Sequence, residues 1–543
     1  LSAAPPRVIR APHCSGHRRA GAQGAMSDPS KKRARAEAAA PPAETPPSAT
    51  SYPYWASVNS RGVLTAGAEF PAAGVPPEHA SIMVKQYSLL DFKPALNTSS
   101  YVNVMADEHE HELMNLGARI NIADQTIYPS SFNLHNDALA MVANLWNAPQ
   151  DARQDGGPYP GAQTVGSTEA CLLAGLALKF RWRKWRAARH PDAPAMTVPN
   201  LVISTCFQAA WEKLFKYMDV EPRLVQPAMG KMTLDADMVA AACDENTMGV
   251  VCILGNHYSG AYDPVGEVSA ALDKLNAEKD WQVGIHVDAA SGGFVAPFQA
   301  GVPTWDFRVP NVLSVSASGH KFGLSCCGTG WVVWRRREDL AEHVAISVSY
   351  LGGVGESYTL NFSRPATGSY VQLYKFLLLG REGYTAAVAN QMATAARIRA
   401  GLKAMLGPDG KTPRFVILDN ADTDPEGCLP VVCAMLNPAL ALPYDDCDLQ
   451  HVIAERHWYI SGYHMNFKHP ITEATEPLFH DAPAAQALFR VVVKANLTPQ
   501  LAEDLLSATR ETLAFLDDTG EGFRDMHRKK VARPERGRHA HTC

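Results

Sequence analysis

His286-Val287-Asp288-Ala289-Ala290-Ser291-Gly292-Gly293 and Ser316-Ala317-Ser318-Gly319-His320-Lys321-Phe322-Gly323 are the two stretches that decide the fold. Each joins a strand-sized apolar run, Val283–Val287 or Val312–Ser316, to one polar residue and then to small residues. That pattern puts Asp288 and Lys321 at the carboxyl ends of strands. Outward from them, Leu201–Thr205, Gly249–Leu254 and Gly330–Trp334 also read as strands. Helical patterns run over Asp107–Leu116, Asn136–Asn147 and Ser167–Arg189, the last opened by Gly166-Ser167-Thr168 and stopped by Pro191. Strands alternating with helices predict an α/β large domain with a mainly parallel sheet. Beyond a helix near Gln372–Arg399 the pattern changes. Phe415–Leu418, Val431–Met435, Tyr459–Ser461 and Phe489–Lys494 read as strands, and Asp448–Glu455 and Thr498–Leu516 as helices. This predicts a smaller C-terminal α+β domain.

Lys321 follows a strand, is preceded by His320 and is flanked by small residues, so it is buried yet approachable. Burial favours a neutral amine, which can condense with an aldehyde to a Schiff base. Alone, it would be a strand-end lysine in a turn. Asp288 changes the reading, because an acid at the carboxyl end of a strand points into the ligand crevice of an α/β fold. Pyridoxal phosphate needs such a carboxylate to keep its ring nitrogen protonated. Gly166-Ser167-Thr168-Glu169-Ala170-Cys171 adds hydroxyls and backbone N–H groups at the positive end of a helix, where a phosphate can sit. Phosphate, ring nitrogen and aldehyde thus each have a candidate partner.

With Asn361-Phe362-Ser363-Arg364-Pro365, these phrases resemble glutamate decarboxylases of the bacterial and plant type. Ile122–Pro129, Met141–Pro149, Gln208–Glu221 and Ala242–Gly255 are similar to that family too, and the resemblance covers roughly residues 85–510. It implies a fold-type-I fold, pyridoxal 5'-phosphate as cofactor, and conversion of L-glutamate to 4-aminobutyrate and carbon dioxide with one proton consumed. It also implies a homo-oligomer, either a dimer or a hexamer. Carried over by residue, Lys321 resembles the lysine that holds the cofactor, His320 a phosphate contact and Asp288 the ring-nitrogen acid. Ser167 and Thr168 match the phosphate-binding pair, Gln208 the side chain packed on the ring, and Ala290 and Ser318 further cofactor contacts. Ser100, Asn121 and Asp124 match positions near the distal carboxylate of the substrate. Tyr350 and Leu351 match a loop pair that reaches the neighbouring subunit's site, and Ser363 a contact to the neighbour's phosphate.

Two residues depart from the family. His257 stands where a threonine commonly touches the cofactor. Lys494 stands where an arginine clamps the substrate α-carboxylate, and lysine keeps the charge without the two-point fork. Two other readings stay open: action on another amino acid, as decarboxylase or aminotransferase, and an inactive paralogue serving as an assembly or calmodulin-binding protein. The intact Asp288–Lys321 pair speaks against the second.

Composition narrows the classes further. A chain of 543 residues predicts more than one domain. Its 55 acidic against 50 basic residues argue against a nucleic-acid binder. The best apolar run, Met248–Leu254, is strand-sized and too short for a membrane span. Eleven scattered cysteines without a CxxC pair argue against a zinc ribbon or disulfide framework, so no metal site is expected and a reducing, cytoplasmic compartment is. Residues 1–50, rich in Ala, Pro, Ser and Arg, read as a disordered arm. Its stretch before Met26 is either translated upstream sequence or an organelle transit peptide. Segment 51–106 is expected to pack on a partner subunit, 107–385 to form the cofactor-binding domain and 386–520 the small domain. The basic tail, 521–543, has only Phe523, Met526 and Val531 as apolar anchors, and Pro534 limits any helix. It reads as a solvated or pH-responsive tail, with calmodulin as the alternative partner. Asp107-Glu108-His109-Glu110-His111-Glu112 lacks the HExxH spacing and reads as an exposed helix. Arg181–Arg186 reads as cations near a helix end, not a nucleic-acid patch.

Overall fold

The computed structural model describes residues 70–71, 73–89, 91–153, 156–192, 197–340, 344, 346–348, 355–520 and 522. They fall in two units, Leu1–Ser88 and Leu89–Cys543. The described part of the first holds helix α1 (Pro77–Ser88). Everything below belongs to the second. The arm 1–50, Tyr350, Leu351 and nearly all of the tail lie outside the described residues.

Seven strands form the main sheet: β1 (Gly161–Val165), β2 (Asn200–Ser204), β3 (Glu221–Val225), β4 (Thr247–Ile253), β5 (Ile285–Asp288), β6 (Val312–Ala317) and β7 (Thr329–Trp334). Their spatial order is β1-β7-β6-β5-β4-β2-β3. Pairing is parallel from β3 through β2, β4 and β5 to β6, whereas β7 runs against both β6 and β1. Two antiparallel steps bring β1 back parallel to β6. The carboxyl ends of all strands but β7 therefore share one edge.

Helices α2 (Glu108–Gly117) and α3 (Pro129–Leu145) precede the sheet. Between its strands run α4 (Gly166–Arg189), α5 (Ala209–Tyr217), α6 (Ala236–Ala242) and α7 (Val265–Lys279). Strand side chains alternate between faces with a period of two. Leu201, Ile203, Val251 and Ile253 pack with Leu178 and Trp182 of α4 and Trp211, Leu214 and Phe215 of α5. Val202, Val250, Cys252, Ile285 and Val287 pack on the other face with Leu139 and Val142 of α3 and Val265, Val268 and Leu272 of α7. Both faces are covered, as a parallel sheet requires.

After β7 come the short α8 (Arg337–Leu340), the hairpin β8 (Ile346–Val348) and β9 (Gly355–Ser357), and the long α9 (Thr367–Lys403). Gly380, at φ 56° and ψ −170°, interrupts α9 in a backbone region that glycine alone enters readily. A second sheet contains β10 (Phe415–Ile417), β11 (Val431–Leu436), β12 (Ser461–His464) and, beyond the pair β13 (Asn466–Lys468) and β14 (Thr475–Pro477), β15 (Ala487–Val492). Its order is β10-β11-β15-β12, antiparallel throughout. Its core joins Phe415, Val432, Phe489 and Val491 to Ile398 and Leu402 of α9, Leu449 and Ile453 of α10 (Asp446–Ala454), and Leu505 and Leu506 of α11 (Pro499–Thr519).

Several elements differ from the sequence reading. α3 starts at Pro129, where a missing N–H costs nothing in the first turn, not at Asn136. β1 and β3 were not foreseen, since polar Gln163 and Thr164 sit inside β1 and Pro222 and Arg223 inside the edge strand β3. Tyr459 lies before β12 and makes only a bridge to Asn97. The acidic α2 is not exposed all round. Glu110 is 0% exposed and pairs with Lys375 of α9 at 2.5 Å, while it also closes a capping box with Asp107.

Candidate functional site

The shared carboxyl edge collects the residues singled out from the sequence. Asp288 ends β5. Its Oδ2 accepts a hydrogen bond from the Trp211 indole at 2.8 Å, and its Oδ1 accepts one from the Ala290 N–H at 3.0 Å. Trp211 comes from α5, which follows β2, so a crossover from two strands away fixes the carboxylate. The Cys171 thiol of α4 lies 3.7 Å from Ser316 Oγ, and burial, then the Asp288 charge, pushes the thiol well above its ordinary range. His286, buried on the strand, bridges Ser314 at 2.8 Å and Ser316 at 3.1 Å. Burial lowers its pKa to about 4, so it is neutral near pH 7.

Lys321 lies in the turn after β6. The Ser318 N–H donates to Ala290 O at 3.1 Å and the Lys321 N–H to Ser318 O at 3.2 Å, tying this turn to the one after β5. Lys321 Nζ donates to Ser291 Oγ at 3.3 Å and stands 5.2 Å from the centre of the Tyr101 ring. Ser318 Oγ is buried and has no hydrogen-bond partner among the described residues. His320 Nδ1 donates to Thr329 O at 2.7 Å, because a carbonyl can only accept. Burial, then the Lys321 charge, lowers His320 to about 4, leaving its Nε2 unprotonated.

Ser167 and Thr168 sit in the first turn of α4, which follows β1 and has no side-chain cap. The Gly166 N–H donates to Gly328 O at 3.0 Å, which leaves those of Ser167 and Thr168, at the positive end of the helix, as a candidate anion seat. Gly166 has φ +71°, and a Cβ there would stand 3.4 Å from His320 Cε1. The left-handed backbone, not the space beside the imidazole, is what favours glycine here.

His257 follows β4. Gln208 Nε2 lies 3.3 Å from its Nδ1, and the Tyr463 hydroxyl 3.2 Å from its Nε2. Its carbonyl accepts from Arg490 and, at 3.2 Å, from the Tyr101 hydroxyl. Burial, then the charges of Arg490 and Lys321, hold His257 well below the usual imidazole range. Arg490 is 0% exposed and lies 4.8 Å from the Tyr101 ring and 5.6 Å from that of Tyr463. It donates to Ser99 O at 2.5 Å, but its Nε finds no partner among the described residues. Lys494 Nζ is likewise unpartnered there, and burial lowers it to about 8. Ser100, next to Tyr101, accepts from the Val102 N–H at 3.2 Å.

Asn121, Asp124 and Ser363 form a second group, and the nearby Asn361 N–H donates to Glu169 in the first turn of α4 at 2.9 Å. Asn121 is 3.5 Å from Ser363 Oγ and accepts from the Arg364 N–H at 3.2 Å, while Asp124 accepts from the Ile127 N–H at 3.3 Å. Among the described residues no hydrogen bond joins these three to the Lys321 cluster.

Sequence reasoning missed Trp211, Tyr101 and Tyr463, which reach the site through tertiary contacts alone. Arg490 did carry a signal: it is a lone cation in the apolar run Leu488–Val493, and buried cations need a partner or a ligand. The residues present fit pyridoxal phosphate. An amine, a fixed carboxylate, an uncapped helix start beside a neutral imidazole and an orphaned buried hydroxyl at Ser318 match its aldehyde, ring nitrogen, phosphate and remaining polar atoms.

Comparison with known proteins agrees. The family profile of the pyridoxal-dependent decarboxylase conserved domain matches residues 92–408. Glutamate decarboxylase beta of Listeria monocytogenes is 33% identical over 461 residues, 84% of this chain and 91% of that protein. The Petunia hybrida glutamate decarboxylase is 34% identical over 462 residues, 84% of this chain and 85% of its own. Among solved structures, a Lactobacillus brevis glutamate decarboxylase superposes with a TM-score of 0.75 at 31% identity, covering 86% of this chain and 99% of that one.

Proposed function

The chain belongs to the pyridoxal-dependent decarboxylase family, and from that premise we infer that it converts L-glutamate to 4-aminobutyrate and carbon dioxide, consuming one proton. Pyridoxal phosphate, when bound, supplies the electron sink for the bonding pair that the departing carboxylate leaves behind. The observation that carries the reading is the meeting of Lys321, Asp288 and the uncapped start of α4 at one sheet edge. In this reading Lys321 is the covalent anchor, and Asp288, held by Trp211 and Ala290, keeps the proton on the ring nitrogen. Ser167, Thr168 and His320 bind the phosphate, Gln208, Ala290 and Ser318 surround the ring, and His257 holds Gln208. Lys494 binds the α-carboxylate of the substrate and Ser100 helps to bind the distal one.

The separate cluster of Asn121, Asp124 and Ser363 supports a homodimer in which each copy lends these residues, with Tyr350 and Leu351, to its neighbour's site. A hexamer would be three such pairs. Within each copy, the cofactor-binding domain takes 107–385 and the small domain 386–520. The basic tail is read as solvated or pH-responsive; activation of the full-length enzyme by calcium and calmodulin at neutral pH, absent in a chain ending at Glu521, would reverse that. The cytoplasmic assignment rests on the scattered cysteines of the sequence. Among the described residues no helix is long and apolar enough to cross a membrane.

Release of labelled carbon dioxide from glutamate tests the reaction. Aspartate should react at least ~10⁴-fold less efficiently in kcat/KM, because a shorter acid leaves the polar groups for the distal carboxylate unpaired. Equal rates with both acids would refute the assignment of the pocket.

A further inference from the structure

The residue at 257 joins the two sheets through its imidazole. Gln208 and His257 follow the neighbouring parallel strands β2 and β4, while Tyr463 lies on β12 of the second sheet. An amide nitrogen can only donate, so Gln208 Nε2 donates to His257 Nδ1 across 3.3 Å. The imidazole proton therefore sits on Nε2 and is donated to the Tyr463 oxygen across 3.2 Å. The ring is wedged edge-on between Tyr258 and Tyr463, at 5.3 and 5.6 Å, and faces Tyr101 at 6.1 Å. The charged groups that bear on it are Arg490 and Lys321, both cations, which with burial keep it neutral. Its backbone is held as firmly, since its carbonyl takes donors from Arg490 and Tyr101.

We propose that His257 is a positioning residue which, by donating to Tyr463 and accepting from Gln208, fixes the Gln208 amide with its oxygen turned away from the imidazole and available to the cofactor. Tyr463, remote from Gln208 in sequence and carried by the other sheet, thereby sets the orientation of a group in the cofactor pocket. The proposal rests on the reading that Gln208 lies against pyridoxal phosphate. It assigns Tyr463 and His257 an effect on the cofactor and none on the substrate carboxylates.

Tyr463→Phe removes only the acceptor oxygen. Equilibrium dialysis of the variant against pyridoxal phosphate should show a dissociation constant raised about fivefold, the worth of one buried hydrogen bond. The visible band of the bound cofactor should shift, and the KM for glutamate should not change. His257→Asn keeps an acceptor for Gln208 but cannot reach Tyr463, so it should match Tyr463→Phe, and combining the two should add nothing further. His257→Leu, which loses both bonds, should bind more weakly than either. In the wild-type holoenzyme, the ¹⁵N resonances that vanish in His257→Asn should be those of an Nε2-protonated neutral ring from pH 6 to 8. Wild-type affinity and spectrum in Tyr463→Phe, additive losses in the double variant, or an Nδ1-protonated ring would each overturn the proposal while leaving the proposed function intact. A wild-type chain that binds no pyridoxal phosphate would overturn the function and the positioning role together.

Discussion

Four of the buried cations among the described residues divide into two pairs with different surroundings. Arg399, 6% exposed, lies 2.8 Å from the Asp419 carboxylate, and Arg414, 4% exposed, lies 2.5 Å from that of Asp517. Arg490 and Lys494, 0% and 5% exposed, meet no carboxylate among the described residues. Arg399 and Arg414 brace the core formed by the second sheet, α9 and α11. Arg490 lies against Tyr101, whose ring also faces the Lys321 amine, and Lys494 follows Arg490 on the chain beyond β15. Removing an ion from water without a counter-ion costs several kcal/mol. The braced cations recover that cost within the fold. The other two recover it through carbonyls and aromatic faces, or when an anion arrives.

The largest effect is expected at the site that Arg490 and Lys494 border. Lys321→Ala should fold normally yet lose all carbon dioxide release. Borohydride reduction followed by peptide mapping should label Lys321 in the wild type and no peptide at this position in the variant; wild-type label on another lysine would remove the anchor assignment.

Breaking a braced pair should act on stability instead. Asp419→Ala strands Arg399 and also deprives the Cys433 N–H of its acceptor at 3.0 Å. A loss of about 3–5 kcal/mol is expected from denaturant unfolding. Lys494→Met, which deletes a buried charge that has no partner among the described residues, should leave stability unchanged or raised. It should nonetheless increase the KM for glutamate about tenfold or more, the loss of a charged hydrogen bond. If both substitutions cost the same stability, the distinction between braced and receptive cations fails.

How far these features can be read from the sequence follows from the same contrast. Asp288 was legible because it ends an apolar run, Lys321 because it closes a turn of small residues after one, and the start of α4 because small hydroxyl residues precede a long helical pattern. Arg490 was legible in principle, as a cation inside an apolar strand. Trp211 was not: its bond to Asp288 spans 77 residues of chain, and nothing local in α5 reveals it. Tyr101 and Tyr463 are similar, since aromatic residues in loops and short strands are ordinary until the fold brings them together. The grouping of Asn121 with Ser363 and Arg364 was equally hidden, because its contacts span 242 and 243 residues of chain. β1 escaped because its polar Gln163 side chain is satisfied from afar, its Oε1 accepting from the Ser369 hydroxyl at 3.3 Å.

The smallest expected effect is also the sharpest test of Lys494. Burial lowers its ammonium to about 8, so it is charged at pH 7 and increasingly neutral above pH 8. Binding and stability then respond in opposite senses. An α-carboxylate held by this ammonium is released as it loses its proton, so the KM for glutamate should climb as pH rises through about 8. The unfolded chain keeps the same proton up to about 10.4. Between these two values the unfolded state binds more protons than the folded one, and this group makes the fold more stable as pH rises. Lys494→Arg separates the two cations cleanly. A guanidinium stays charged throughout this range and offers a planar fork to a carboxylate. The variant should show a KM at pH 7 equal to or slightly below that of the wild type, and its KM should stay flat where the wild-type value climbs. A climb that persists in the arginine variant would mean that another group titrates, and that Lys494 is not the cation that holds the substrate.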